Sequence, residues 1–309
     1  MHQPIQDFLE YCEVTKNQSS KTIENYRHYL SRFLEFLESK KLENLPPKKI
    51  TLKLINDYRV FLNRYKAPNN KSLSIKTQNY HVISLRALLK YLTKNDIETL
   101  APEKIELSKI PERTVEVLDR EELERLFAAV DPTDARGARD LAILETLYST
   151  GLRVSELASL SRAQIDLKRK EFMVRGKGSK PRIVFLSDHA VTIIKNYLKL
   201  RTDNAEPLFI SFPRQATKSK TQTQDITANR RLSTVSIQSV VSKYTRKAGI
   251  IKKVTPHTLR HTYATQLLVN GADIRSVQEL LGHASITTTQ IYTHVTNKAL
   301  RETHEKFHK

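Results

Sequence analysis

Apolar residues recur every three or four positions through much of the first hundred residues, a spacing that turns one face of an α-helix toward a core. In "SKTIENYRHYLSRFLEFLESK" (20–40) the stripe runs through Ile23, Tyr26, Leu30, Phe33, Leu34 and Leu37, with Ser20 placed to cap the first turn. "ITLKLINDYRVFLNRY" (50–65) repeats it through Ile55, Tyr58, Leu62 and Tyr65. "KTQNYHVISLRALLKYL" (76–92) does so through Tyr80, Ile83, Leu88 and Leu92. These segments predict a small helical bundle over residues 1–104, and no repeat of fixed period connects them.

The periodicity then breaks. "PEKIELSKIPERTVEVLD", from Pro102 to Asp119, has two prolines and no clear period, which places a linker at 105–117. A second domain, 118–309, opens on a capping box, Asp119 with Glu122 three residues on. "RDLAILETLYSTGLRVSELASL" predicts two helices parted at Gly151, and "EFMVRGKGSKPRIVFL" two strands around Gly176-Lys177-Gly178. Residues 213–231, polar and poor in apolar side chains, read as a mobile loop or small insertion. Helices resume near Val235 and after Pro256, a residue suited to a first helical turn. The fold class expected is mainly α with a small β-sheet in the second domain.

Composition adds a partner. Lysine and arginine number 52 against 33 acidic residues, a formal charge of +19 spread over both halves of the chain. Such an excess favours polyanions, through steering and through counterion release from phosphates. Lys21, Arg27, Lys76 and Arg86 lie on the polar faces of the N-terminal helices and are candidates to line a phosphate backbone; a solvated helix face explains any single one of them equally well. Cys12 is the lone cysteine, so no internal disulfide forms, and a reducing compartment fits. No apolar run approaches membrane-spanning length, and the expectation is a soluble intracellular protein without membrane contact.

The densest chemistry lies in "TPHTLRHTYATQLL" (255–268). On a helix His257 and Arg260 share a face, and His261 falls four residues after His257. That histidine spacing occurs in zinc proteases, but Thr258 stands where their glutamate would be, and Arg260 would set a fixed cation beside the metal. A cation in the pocket argues for an anionic substrate instead. Arg153 follows the break at Gly151 near a helix start, where free amides already favour anions, while Glu156 orients or packs rather than reacts. Lys177 sits between two hairpin glycines, and His283 follows Gly282 at a turn. Tyr292 is either a half-buried aromatic or a nucleophile; Tyr263, one turn after Arg260, is its rival, although Leu267 and Leu268 beside it suggest packing. His261 and His294 are read as structural or supporting.

"GLRVSEL", "GKGSK", "HTLRHTYAT", "LLGH" and "IYTHV" together, in this order and spacing, resemble the tyrosine recombinases, or phage-type integrases, and among them the bacterial and archaeal Xer proteins. The resemblance covers nearly the whole chain. It implies an N-terminal helical, SAM-like core-binding domain and a C-terminal mixed α/β catalytic domain, closing as a C-shaped clamp on duplex DNA. Carried over motif by motif, Arg153 and Arg260 hold the non-bridging oxygens of the scissile phosphate, and His257 and His283 complete its hydrogen bonds, with His257 also a candidate base. Lys177 protonates the departing 5′ oxygen and Tyr292 attacks. A tail such as "TNKALRETHEKFHK" docks on a neighbouring protomer in this family, with Leu300 and Phe307 the anchors chosen here.

The resemblance further implies a cytoplasmic, nucleoid-associated enzyme that needs no cofactor, metal or ATP. It cuts and rejoins DNA through a 3′-phosphotyrosyl intermediate and a Holliday junction, as a homotetramer or with a second recombinase, and in some members under a DNA translocase of the FtsK type. Resolution of chromosome or plasmid dimers is the role expected. Integration of a mobile element uses the same pocket, a type IB topoisomerase shares the chemistry but acts as a monomer, and a catalytically silent DNA-binding protein would keep only the fold.

Overall fold

The computed structural model describes residues 1–67, 70–110, 116–175, 181–212 and 230–282. The chain divides into two compact units, Met1–Arg113 and Thr114–Lys309.

The first unit is helical. It contains α1 (His2–Glu10), which runs on into a π-helical turn (Tyr11–Thr15), α2 (Ser20–Ser39), α3 (Leu52–Arg64) and α4 (Ile75–Lys94). Ser19, Thr51 and Ser74 cap the last three, each side-chain oxygen accepting from the amide three residues on. The cap of α2 is therefore Ser19 and not Ser20, which is its first helical residue. Leu30, Phe33, Leu37, Ile55, Tyr58, Leu62, Leu88 and Leu92 are all buried in one core, as their spacing requires.

The stripe expected on α4 is corrected in part. Tyr80 and Ile83 are 41% and 38% exposed, and the buried face instead runs through Asn79, His81, Val82, Ser84 and Leu85. Its polar members are satisfied inside. Asn79 donates to the Ser108 carbonyl at 2.8 Å and accepts from the Ser108 amide at 3.1 Å. His81 Nδ1 lies 3.3 Å from the Tyr29 carbonyl, and burial lowers its pKa to about 4, so the ring is neutral at pH 7. The Asn79 bonds, with Ile105 buried in the same core, tie 105–108 to the first unit.

The second unit begins with α5 (Arg120–Ala128), where Asp119 and Glu122 form the capping box, followed by α6 (Ala135–Thr150) and α7 (Val154–Ser159). Three antiparallel strands in sequential order follow: β1 (Ile165–Asp166), β2 (Glu171–Arg175) and β3 (Pro181–Phe185). The short β1 is an addition to the two strands expected. Then come α8 (Asp188–Lys199), α9 (Thr234–Lys247), α10 (Pro256–Val269) and α11 (Ile274–Leu281). The central helix α6 is buried along most of its length, and its Leu144 and Leu147 share one core with Leu157, Val184 and Leu259. A smaller cluster of Ala264, Leu268, Val277 and Leu281 fastens α11 to α10. Among the described residues no helix is long and apolar enough to cross a membrane.

Candidate active site

The site forms where α6 ends. Gly151 caps this helix in the left-handed conformation, φ +60°, and a Cβ there would come within 2.5 Å of the Tyr263 ring. Glycine is thus required twice over, by backbone angle and by the approach of α10. Two residues later Arg153 occupies the N-cap position of α7, and its amide donates to Glu156 Oε2 at 2.8 Å.

On α10, Pro256 occupies the first turn and Thr255 and Thr258 form the capping pair. The helix turns Arg260 inward, to 3% exposure. Its guanidinium donates to the Gly151 carbonyl at 2.5 Å and to the Leu281 carbonyl at 2.7 Å. Arg153 Nη2 reaches the next carbonyl, Gly282, at 3.0 Å. Both arginines therefore meet the C-terminal end of α11, where unpaired carbonyls and the helix dipole favour cations. Gly282 caps α11 in the left-handed conformation, φ +65°.

Arg182, on β3, completes this cluster and was not singled out from the sequence. It forms a two-pronged ion pair with Glu156, both bonds 2.8 Å, and its Nε donates to the Leu280 carbonyl at 3.2 Å. Arg153 Nη1 donates to the same carboxylate at 2.8 Å. Burial alone pushes the Glu156 carboxyl up. Bonds from Arg182 and from the Arg153 amide, with the charges behind them, outweigh burial and carry it down to about 2.

A carboxyl held low in the folded state stabilises the fold above its unfolded pKa, a contribution lost as pH falls through the folded value. The window here runs from the ordinary 4.5 down to about 2. Glu156→Gln should therefore be less stable than the native chain by roughly 3 kcal/mol at neutral pH, because two guanidiniums lose their counterion. The gap should narrow as pH falls from 4.5 toward pH ~3, because the unfolded carboxyl takes up its proton over this range while the folded one keeps its charge. Urea unfolding at both pH values checks this; an equal gap at both would contradict it.

His257 keeps an open edge to solvent. Burial, then the charges of Arg260 and Arg153, lowers its pKa, so the imidazole is neutral at pH 7 and able to accept a proton. His261 stacks on it, ring centroids 6.2 Å apart. Tyr263 packs against the small cluster of α10 and α11, and burial raises its pKa although Arg260 and Arg182 oppose the rise. Both observations favour packing over attack for this residue.

Of the residues expected in the site, Arg153, His257 and Arg260 are brought together. Lys177, His283 and Tyr292 lie outside the described residues, as do His294, Leu300, Phe307 and the stretch 213–229. In the first unit Lys21 and Arg27 lie on α2, and Lys76 and Arg86 on α4; Arg86 is half-buried, the others are exposed, and Lys21 is paired with Glu24 at 2.7 Å.

Comparison with known proteins fits this geometry. Residues 116–299 match the phage integrase family and residues 5–96 match the phage integrase N-terminal SAM-like domain. The chain is 38% identical over 309 residues to tyrosine recombinase XerC of Oceanobacillus iheyensis, covering 98% of this chain and 95% of that one. To tyrosine recombinase XerA of Pyrococcus furiosus it is 38% identical over 303 residues, covering 98% and 93%. The fold is that of the XerH site-specific recombinase in its post-cleavage complex with a palindromic difH substrate, with a TM-score of 0.72 at 23% identity, covering 99% of this chain and 85% of that one. Matched through both of its units and related to the Xer recombinases over almost its full length, the chain belongs to the phage integrase family and is a tyrosine recombinase of the Xer type.

Proposed function

We propose that this protein recombines DNA at a specific site by a transesterification at Tyr292. The observation that carries this reading is the convergence of Arg153 and Arg260 on the carbonyls of residues 281 and 282, immediately before the segment that holds His283 and Tyr292 in the sequence. Two guanidiniums so placed suit a phosphodiester whose transition state gains negative charge. Unperturbed, a tyrosine hydroxyl has a pKa of about 10, so it needs a base or a cationic pocket to react at neutral pH.

In this account the Tyr292 oxygen attacks phosphorus while neutral His257 takes the phenolic proton. The bond from phosphorus to the 5′ oxygen breaks as Lys177 gives that oxygen a proton. His283 and the two arginines hold the non-bridging oxygens throughout. The product is a 3′-phosphotyrosyl ester and a free 5′ hydroxyl. The ester conserves the energy of the broken bond, so the reverse attack by a 5′ hydroxyl from a partner duplex rejoins strands without ATP. Exchanging strands in pairs passes through a Holliday junction, which calls for a tetramer on two duplexes; the tail with Leu300 and Phe307 is our choice for the contact between protomers. Dimer resolution is the role we favour, since the relatives of high identity carry Xer names.

The test begins by mapping the duplex that the protein protects and nicks. A supercoiled plasmid with two copies of that site is then incubated with the protein and EDTA, without nucleotide. Recombinant circles and Holliday junctions are expected. Relaxation of a plasmid carrying one site, with no junctions from two, would instead make the protein a topoisomerase, and binding without nicking would make it a silent DNA-binding protein.

A further inference from the structure

The carboxylate of Glu156 takes four donors: Arg153 Nη1 and Arg182 Nη1 on Oε1, the Arg153 amide and Arg182 Nη2 on Oε2. The Arg182 and Glu156 side chains are only 10% and 6% exposed, so solvent screens the pair weakly. Arg153, by contrast, keeps 28% of its side chain open. Paired with Glu156 alone, Arg153 would belong to a neutral ion pair, and its guanidinium would be held away from any other anion. Adding Arg182 gives the group one net positive charge and engages the carboxylate from the buried side. Arg182 also reaches the end of α11: it donates to the Leu280 carbonyl, and a Cβ on Gly282 would lie 2.9 Å from its Cδ.

We propose that Arg182 is a positioning residue for strand cleavage, holding Glu156 so that Arg153 keeps both its aim and its net charge for the scissile phosphate. It touches neither phosphate nor leaving group in this account and acts through Arg153. The inference rests on the recombinase reading given above. Lysine replaces it only in part, because an ammonium keeps the charge but offers no planar fork to both carboxylate oxygens.

The test uses the full-length protein on a duplex bearing its mapped site, with either an ordinary scissile phosphate or a methylphosphonate, in which methyl replaces one non-bridging oxygen. The methylphosphonate carries less charge in the transition state, so it depends less on the guanidinium that neutralises that charge. Arg182→Gln should cleave the ordinary duplex about 100-fold more slowly, the scale of a small misplacement of a catalytic group. On the methylphosphonate the deficit should shrink to within about tenfold, as it should for Arg153→Ala. Arg182→Lys should show the same pattern more weakly, and it carries the comparison if Arg182→Gln does not fold. Joined to Arg153→Ala, the Arg182 change should add almost nothing, since both act through one group.

Cleavage by the Arg182 variants within about threefold of the native rate would overturn the proposal. So would an equal deficit on both duplexes with losses that add to those of Arg153→Ala, because Arg182 would then be purely structural. Absence of cleavage by the native protein on the ordinary duplex would sink the recombinase reading itself, and this proposal with it.

Discussion

Arg260→Met should cut the ordinary duplex at least ~1,000-fold more slowly than the native protein, with duplex affinity changed far less. The guanidinium is buried on α10 and bound to carbonyls at the ends of α6 and α11, so it presents donors from a fixed, poorly solvated position. Preorganised donors of this kind are worth several kcal/mol each where charge develops. Affinity comes from many phosphate contacts, and one arginine among them carries a small share. Arg260 also anchors two carbonyls, so stability should fall by a few kcal/mol, a loss to be measured alongside by thermal unfolding. Arg260→Lys separates charge from geometry: it retains the cation but not the fork, and should recover stability better than cleavage. Single-turnover rates on one duplex decide the matter. Cleavage by Arg260→Met within tenfold of native would remove Arg260 from the phosphate.

Lys177→Ala should lose ~100- to 10,000-fold in cleavage and recover most of it when sulfur replaces the 5′ bridging oxygen. An alkoxide leaves poorly unless protonated, whereas a thiolate departs with little help. Strands β2 and β3 pair as far as Arg175 and Pro181, and Lys177 falls between these residues in the sequence. Arg260→Met should gain much less from the same sulfur, since the proposed mechanism gives it the charge on phosphorus and not the leaving group. The pattern across the two variants matters more than either rate. If sulfur rescues neither, Lys177 is not the acid; equal rescue of both would mean that sulfur lowers the barrier without regard to which group is missing.

Much of this architecture is legible in the sequence where hydrophobic spacing and backbone chemistry agree. The stripe on α2 buries Leu30, Phe33 and Leu37, and the breaks at Gly151 and Pro256 fall where a left-handed cap and a helix start are needed. Apolar spacing misleads where burial is polar. On α4 the inward face contains Asn79, His81 and Ser84, held by hydrogen bonds to backbone carbonyls or amides, and a search for apolar residues passes over them to the exposed Tyr80 and Ile83. The same blindness hid Arg182. In "RIVFL" every residue after the arginine is apolar, so alternation does not say which face points inward. The structure turns Val184 and Leu186 into the core and leaves Ile183 and Phe185 exposed, which sends Arg182 toward Glu156. The one available signal was an acidic residue three positions after Arg153 that needed a partner once buried. Local motifs identified Arg153, His257 and Arg260 individually, but only the fold brings together residues more than a hundred positions apart.

The central claim is that Tyr292 becomes joined to DNA. The most direct measurement traps the native protein on a duplex nicked just 3′ of the scissile phosphate, so that the short fragment bearing the 5′ hydroxyl diffuses away, and locates the attached nucleotide by peptide mass spectrometry. The account predicts one modified peptide, with the phosphate on Tyr292, and no adduct from Tyr292→Phe on either the oxygen or the sulfur substrate. An adduct on Tyr263, or one that survives Tyr292→Phe, would contradict it.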